Sequence, residues 1–150
     1  MLAENYSQPM TDMSTVQADP DKLKTFGFNV FTQLSGAVTA GMIHLGDRLG
    51  LFVALADADA AITTIELANR TGLSERWVRE WAYNQAAARL LVVDDTAGAG
   101  NEKFGLSPEG VAVLASPDHP ASGTGMFHRF PQTMAALDLM PESFRTGVGH

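Results

Sequence analysis

Residues 62–106 read ITTIELANRTGLSERWVREWAYNQAAARLLVVDDTAGAGNEKFGL, and this stretch decides the fold. Thr63 sits before a helical pattern with Glu66 three residues on, the spacing of a capping box. Ile62 and Leu67 flank that cap as a hydrophobic staple, and Gly72 supplies a left-handed stop after Thr71. Leu73, Ser74 and Val78 repeat the staple and cap for a second helix, which carries Val78, Trp81, Ala82 and Gln85 on one face, with Ala86 and Arg89 following at helical spacing. Leu90–Val93 suits a strand, Asp94–Lys103 is turn-rich, and Phe104–Leu106 can pair back. A third cap follows at Ser107, with Pro108 at the first helical position and Leu106 and Val111 as its staple. Helix, tight turn, helix and ribbon are the order of a winged helix-turn-helix. The expected fold class is mainly α: a helical bundle with a winged helix-turn-helix and a small two-stranded β-ribbon.

Upstream, Asp19 and Pro20 mark a helix start, and the helical pattern continues to about Ala58 with expected breaks near Ser35 and Gly36 and near Gly50. Val38, Met42, Leu45 and Leu49 recur at spacings of four and three, an a/d seam that continues to Phe52. Gly36, Ala37, Ala40 and Gly41 would let another backbone approach. This seam either meets the winged helix of the same chain or forms a subunit interface. Downstream, the loop Ser116–Thr124 precedes Met126, Phe127, Phe130, Met134, Leu137 and Met140 at roughly helical spacing, with Pro131 beginning or kinking a helix. The resulting division is a polar leader over 1–18 expected to be disordered, a helical and winged-helix module over 19–142, and a linker over 143–150.

Composition removes several classes of function. With no cysteine, disulfides, thiol nucleophiles and cysteine-ligated zinc are excluded. No apolar run approaches the ~20 residues of a membrane-spanning helix, and the first eighteen residues carry no basic and apolar leader pattern. A cytoplasmic setting is therefore expected. The formal net charge is −7. Across 60–106 five basic residues face six acidic ones, net −1, and Asp94 and Asp95 open the wing. DNA affinity rests mainly on phosphate neutralisation, so DNA is an unfavoured partner; Arg76 and Arg79 are the side chains that would reach it.

None of His44, His119, His128 and His150 falls in a metal-binding spacing. His44, beside the seam, is expected to be packed or hydrogen-bonded, and His119 solvated. His128 and Arg129 lie among Met126, Phe127, Phe130 and Met134, a set that either lines an apolar pocket with a few polar groups or forms a helix core with a solvated basic edge. Asp94 and Asp95 point apart on a strand end and make no shared acid–base site.

The run GAVTAGMIHLGDRLGLFVALADA over 36–58, then ELANRTGLSERWVREWAYNQAAARLLVVDD over 66–95 and KFGLSPEGVAVLA over 103–115, resembles the N-terminal module of a bacterial family of class I S-adenosylmethionine-dependent methyltransferases. The resemblance covers about Phe28 to Arg145. It implies a dimerisation and substrate-capping role, with a Rossmann-like domain holding the methyl donor in a complete family member. That domain needs a strand, a glycine-rich turn and an acidic residue about 20 positions later. The late glycines Gly147 and Gly149 follow no apolar strand. The expectation is thus a truncated module, not catalytic alone and without a cofactor of its own, acting as a homodimer or with a separate catalytic domain.

Overall fold

A computed structural model describes residues 17–149. The chain divides into two units, one through Ser35 and one from Gly36 onwards. The expected leader falls outside the described residues apart from Gln17 and Ala18, as does His150.

The first helix, α1, spans Pro20–Arg48. Asp19 caps it, its Oδ1 accepting from the backbone N–H of Asp21 at 2.9 Å and of Lys22 at 3.3 Å. In the first unit Leu23, Phe26, Phe28, Val30, Phe31 and Leu34 are all exposed. The break expected near Ser35 and Gly36 does not occur; a helical glycine costs roughly 1 kcal/mol against alanine but removes no backbone hydrogen bond.

In the second unit, α1 ends at Arg48, and Gly50, with a left-handed φ of 70°, precedes α2 (Leu51–Ala56). Next come β1 (Ile62–Thr63), α3 (Thr64–Thr71), α4 (Glu75–Ala87), β2 (Val92–Asp94) and β3 (Lys103–Gly105). The capping box is complete: Glu66 N–H donates to Thr63 Oγ1, and Thr63 N–H donates to Glu66 Oε2 at 2.8 Å. Gly72 stops α3 at φ 69°. Ser74 occupies the N-cap position of α4, but its side chain makes no capping bond.

The sheet corrects the two-stranded expectation. It has three strands in the order β1-β3-β2, all antiparallel, with Ile62 opposite Phe104 and Phe104 opposite Val93. Ile62 is buried and so both staples α3 and extends the wing. The helix pattern expected to run on to Arg89 also stops early. Arg89 takes φ 61°, and Leu90 N–H returns to Gln85 O at 2.9 Å. Leu90 and Leu91 therefore close the helix, and the strand begins at Val92.

Ser107 caps α5 (Pro108–Gly110), its Oγ accepting from Gly110 N–H at 3.1 Å, and the chain continues as a π-helical turn over Val111–Ala115. A 3₁₀ turn (Thr124–Phe127), α6 (Phe130–Ala136), a second 3₁₀ turn (Leu137–Leu139) and α7 (Met140–Thr146) complete the described chain. Pro131 begins α6 rather than kinking a longer helix. Helix α7 extends through Ser143–Thr146, where the sequence reads as linker, and Gly147 ends it at φ 72°.

The core is the meeting of α1, α2, α3, α4 and β3. Leu51, Phe52, Leu67, Val78 and Phe104 are buried nearly completely, with Ile43, Leu55, Trp81 and Leu91. The Phe52 and Trp81 rings meet edge-on at 5.1 Å, and the Trp81 indole N–H donates to Met42 O at 2.9 Å. Such a contact satisfies a buried donor and fixes ring orientation together.

Candidate functional site

Helix α1 of the second unit presents two faces to different surroundings. The first carries the seam. Met42 packs partly against the core, while Val38, Leu45 and Leu49 are each close to half exposed. The chain's own winged helix therefore covers only part of it. Met42, Leu45 and Leu49 form one wall of an apolar groove of about 600 Å³, completed by Leu51, Leu73 and Trp81. Its rim carries Arg76, Trp77 and Glu80 from α4.

The other face holds the segment after the loop. His44 Nδ1 lies 3.0 Å from Phe127 O, and His128 Nε2 lies 2.8 Å from Asp47 Oδ2. An alanine-like Cβ at Gly41 would sit 3.8 Å from the Phe130 ring. Positions 41, 44 and 47 of one helix thus lie against Phe130, Phe127 and His128 respectively. His44 is hydrogen-bonded, as its place beside the seam leads one to expect. Of the expected pocket set, Phe127 and Phe130 are half-buried, whereas Met126 is 78% exposed and Met134 is exposed on α6. Met126 and Met134 are left to solvent, and the His128 imidazole is exposed as well.

Two residues of these surroundings were not singled out in the sequence. Asp47, the partner of His128, lies one turn after His44, a spacing that marks a shared face. Trp77 is 68% exposed. Its signal was legible: it falls outside the buried α4 face of Val78, Trp81, Ala82 and Gln85, and a large aromatic left in solvent is the informative exception.

Several charged groups of the winged helix find partners within it. Arg79 pairs with Glu75 at 2.7 Å, and Glu75 also accepts from Thr64 Oγ1 at 2.8 Å. The Thr64 hydrogen bond, and then Arg79, hold the Glu75 carboxyl below its ordinary range. The Arg76 guanidinium lies 5.4 Å from the centre of the Trp77 ring. At the wing, Asp94 accepts from both the N–H and hydroxyl of Thr96, and Glu102 accepts from the Tyr83 hydroxyl and Gly100 N–H. Asp94 is thus committed to a turn and shares no site with Asp95. Arg79 is paired within its own helix, Arg76 lies over the Trp77 ring without a carboxylate partner among the described residues, and the wing that would meet phosphate is acidic.

The residues do not fit a methyl donor. Among the described residues the sheet consists of antiparallel strands of two or three residues, and the positive-φ glycines Gly98 and Gly100 belong to the wing turn. No parallel strand leads into a glycine-rich turn and helix there. Also among the described residues, no group of three or more His, Asp or Glu could hold a metal ion, and no helix is long and apolar enough to cross a membrane. His119 is exposed and accepts from Ala121 N–H within its loop.

A family model described as the Rv2258c-like winged HTH domain matches residues 37–116. Among solved structures, human N-acetylserotonin methyltransferase in complex with SAM matches at 16% identity and a TM-score of 0.69, over 92% of this chain and 38% of that one. Mitomycin 7-O-methyltransferase MmcR matches at 23% identity and a TM-score of 0.63, over 86% of this chain and 36% of that one. N,N-8-amino-8-demethyl-D-riboflavin dimethyltransferase (RosA) from Streptomyces davawensis matches at 28% identity and a TM-score of 0.58, over 88% of this chain and 35% of that one. The matched part is the N-terminal region of these proteins, so this chain spans little more than a third of their length. No curated protein sequence matches it.

Proposed function

The chain belongs to the Rv2258c-like winged HTH domain family, and from that premise we propose that it serves as the N-terminal dimerisation and substrate-capping module of an S-adenosylmethionine-dependent methyltransferase. The observation that carries the reading is the likeness of nearly the whole chain to the N-terminal region of methyltransferases, RosA included at 28% identity. The two faces of α1 divide the work. Val38, Met42, Leu45 and Leu49 associate with a second copy. Met126, Phe127, His128, Phe130 and Met134 form the side that meets the methyl acceptor. The module works in the cytoplasm with a cofactor-binding domain that supplies the donor.

Methyl transfer needs the acceptor atom in line with the donor methyl and water kept out. The contributions of this chain are enclosure and orientation. Phe130 and Phe127 are fixed on α1 through Gly41 and His44. Met126 and Met134 remain exposed and adaptable, as a surface that folds over an apolar acceptor requires. The His128–Asp47 contact pins the start of α6.

The test is the kinetics of the methyltransferase that carries this module. Met126→Ala and Phe130→Ala should raise the acceptor KM about tenfold, equivalent to roughly 1.4 kcal/mol of lost contact, and leave the donor KM unchanged. An unchanged acceptor KM, or equal loss for both substrates, would refute the capping role.

A further inference from the structure

Resting on that dimer reading, we propose that the groove between α1 and α4 is the seat of Trp77 from a second copy of this chain. The interface is then a twofold pairing of α4 with the partner's α4.

Three observations carry this. The first is self-complementarity. A closed twofold interface uses one patch on both copies, and here the apolar groove and a projecting aromatic share one surface. Leu45, Leu49 and Leu73 line the groove, while Trp77 stands 68% exposed at its rim. The second is charge. Arg76 and Glu80 lie one turn apart on the groove rim. Neither forms an ion pair among the described residues, whereas the neighbouring Glu75 and Arg79 do. A twofold axis crossing α4 at the height of Val78 sets the two helices antiparallel. Arg76 then meets the partner's Glu80, and Glu80 meets the partner's Arg76. A partner with no symmetry relation has no reason to match this alternation. The third is continuity. Leu45 and Leu49 belong both to the groove and to the α1 seam, so one association covers α1 and α4 together. Trp and Arg are also the residue types that most often dominate binding energy at the centre of an interface.

The association constant of the 150-residue chain, measured by sedimentation, tests this. Trp77→Ala should raise the dimer Kd by at least ~30-fold, the scale of a hot-spot residue. Arg76→Glu and Glu80→Arg should each weaken the dimer, and the double exchange should restore it to within roughly threefold of the unmodified chain, because a swapped pair keeps its attraction. Trp81 is already buried, so a blue shift of tryptophan emission with rising protein concentration reports Trp77. All three side chains are exposed, and unchanged far-ultraviolet circular dichroism verifies that the variants fold. A dimer insensitive to Trp77→Ala and to both charge reversals, yet split by Val38→Glu, would overturn the Trp77 seat and leave the α1 dimer standing. A monomeric unmodified chain would overturn both.

Discussion

Gly46 is the glycine of α1 with the least room for an added methyl group. It is buried in the helix, and an added Cβ would lie 2.7 Å from Phe52 Cε2, 2.7 Å from Trp81 Cζ2 and 2.8 Å from Trp81 Nε1. Carbon atoms normally rest about 3.5–4.0 Å apart, so both rings would have to retreat by nearly 1 Å. Neither is free to do so. Phe52 is 1% exposed and Trp81 3%, and the Trp81 indole is tied to Met42 O at 2.9 Å. Overpacking of this kind costs about 1–3 kcal/mol, and loosening the indole hydrogen bond adds roughly 1 kcal/mol. Alanine recovers about 1 kcal/mol through helix propensity. Gly46→Ala should therefore destabilise the fold by about 1–3 kcal/mol, lowering Tm by roughly 4 °C for each kcal/mol in a domain of this size. The assay is a thermal melt followed by circular dichroism, with Gly27→Ala as control. Gly27 has open space around the added Cβ, so that variant should melt no lower than the parent. A Gly46→Ala chain that melts at or above the parent temperature would refute the close packing of α1 on α2 and α4.

Thr63→Ala should cost about 1 kcal/mol in denaturant unfolding by removing the cap of α3. The Glu66 carboxyl is held below its ordinary value of 4.5 by the Thr63 N–H and hydroxyl. Its folded pKa is depressed, so its contribution is complete above the ordinary value and fades as the pH falls below 4.5 through the folded value. Unfolding measured across that window should show a shallower acid limb in Glu66→Gln. Titration calorimetry of the 150-residue chain with S-adenosylmethionine should give no saturable one-to-one heat, and such a heat would contradict the lack of fit to the donor. Selection from random duplexes at physiological salt should return no consensus site; one whose binding vanished in Arg76→Ala or Arg79→Ala would support a DNA-binding regulator instead.

The winged helix was readable because its signals are local. Thr63 with Glu66, Gly72, and Ser107 with Pro108 each act within one helical turn, and all three stand where the sequence places them. The α4 core face of Val78, Trp81, Ala82 and Gln85 is likewise buried as its period requires. What escaped depends on distant partners. Ile62–Thr63 becomes a third strand only because Phe104, more than forty residues later, pairs on both sides. Arg89 has no side-chain signal for positive φ; the return bond from Leu90 to Gln85 places it there. At the candidate site, the apolar period after Met126 was visible, but the Asp47 contact to His128 and the His44 contact to Phe127 O span more than eighty residues. Periodicity likewise could not decide how much of the Val38–Leu49 seam the chain covers for itself, since an a/d pattern looks the same against either partner.

The seam of α1 is expected to bind a second copy of the chain. Sedimentation equilibrium of the unmodified chain at tens of micromolar tests it most directly. A species of twice the 16.0 kDa chain mass is expected. Leu45→Glu, a change at a half-exposed seam position, should return the chain to monomer with its helicity intact. A unmodified chain that sediments as a 16.0 kDa monomer with native helicity would contradict it.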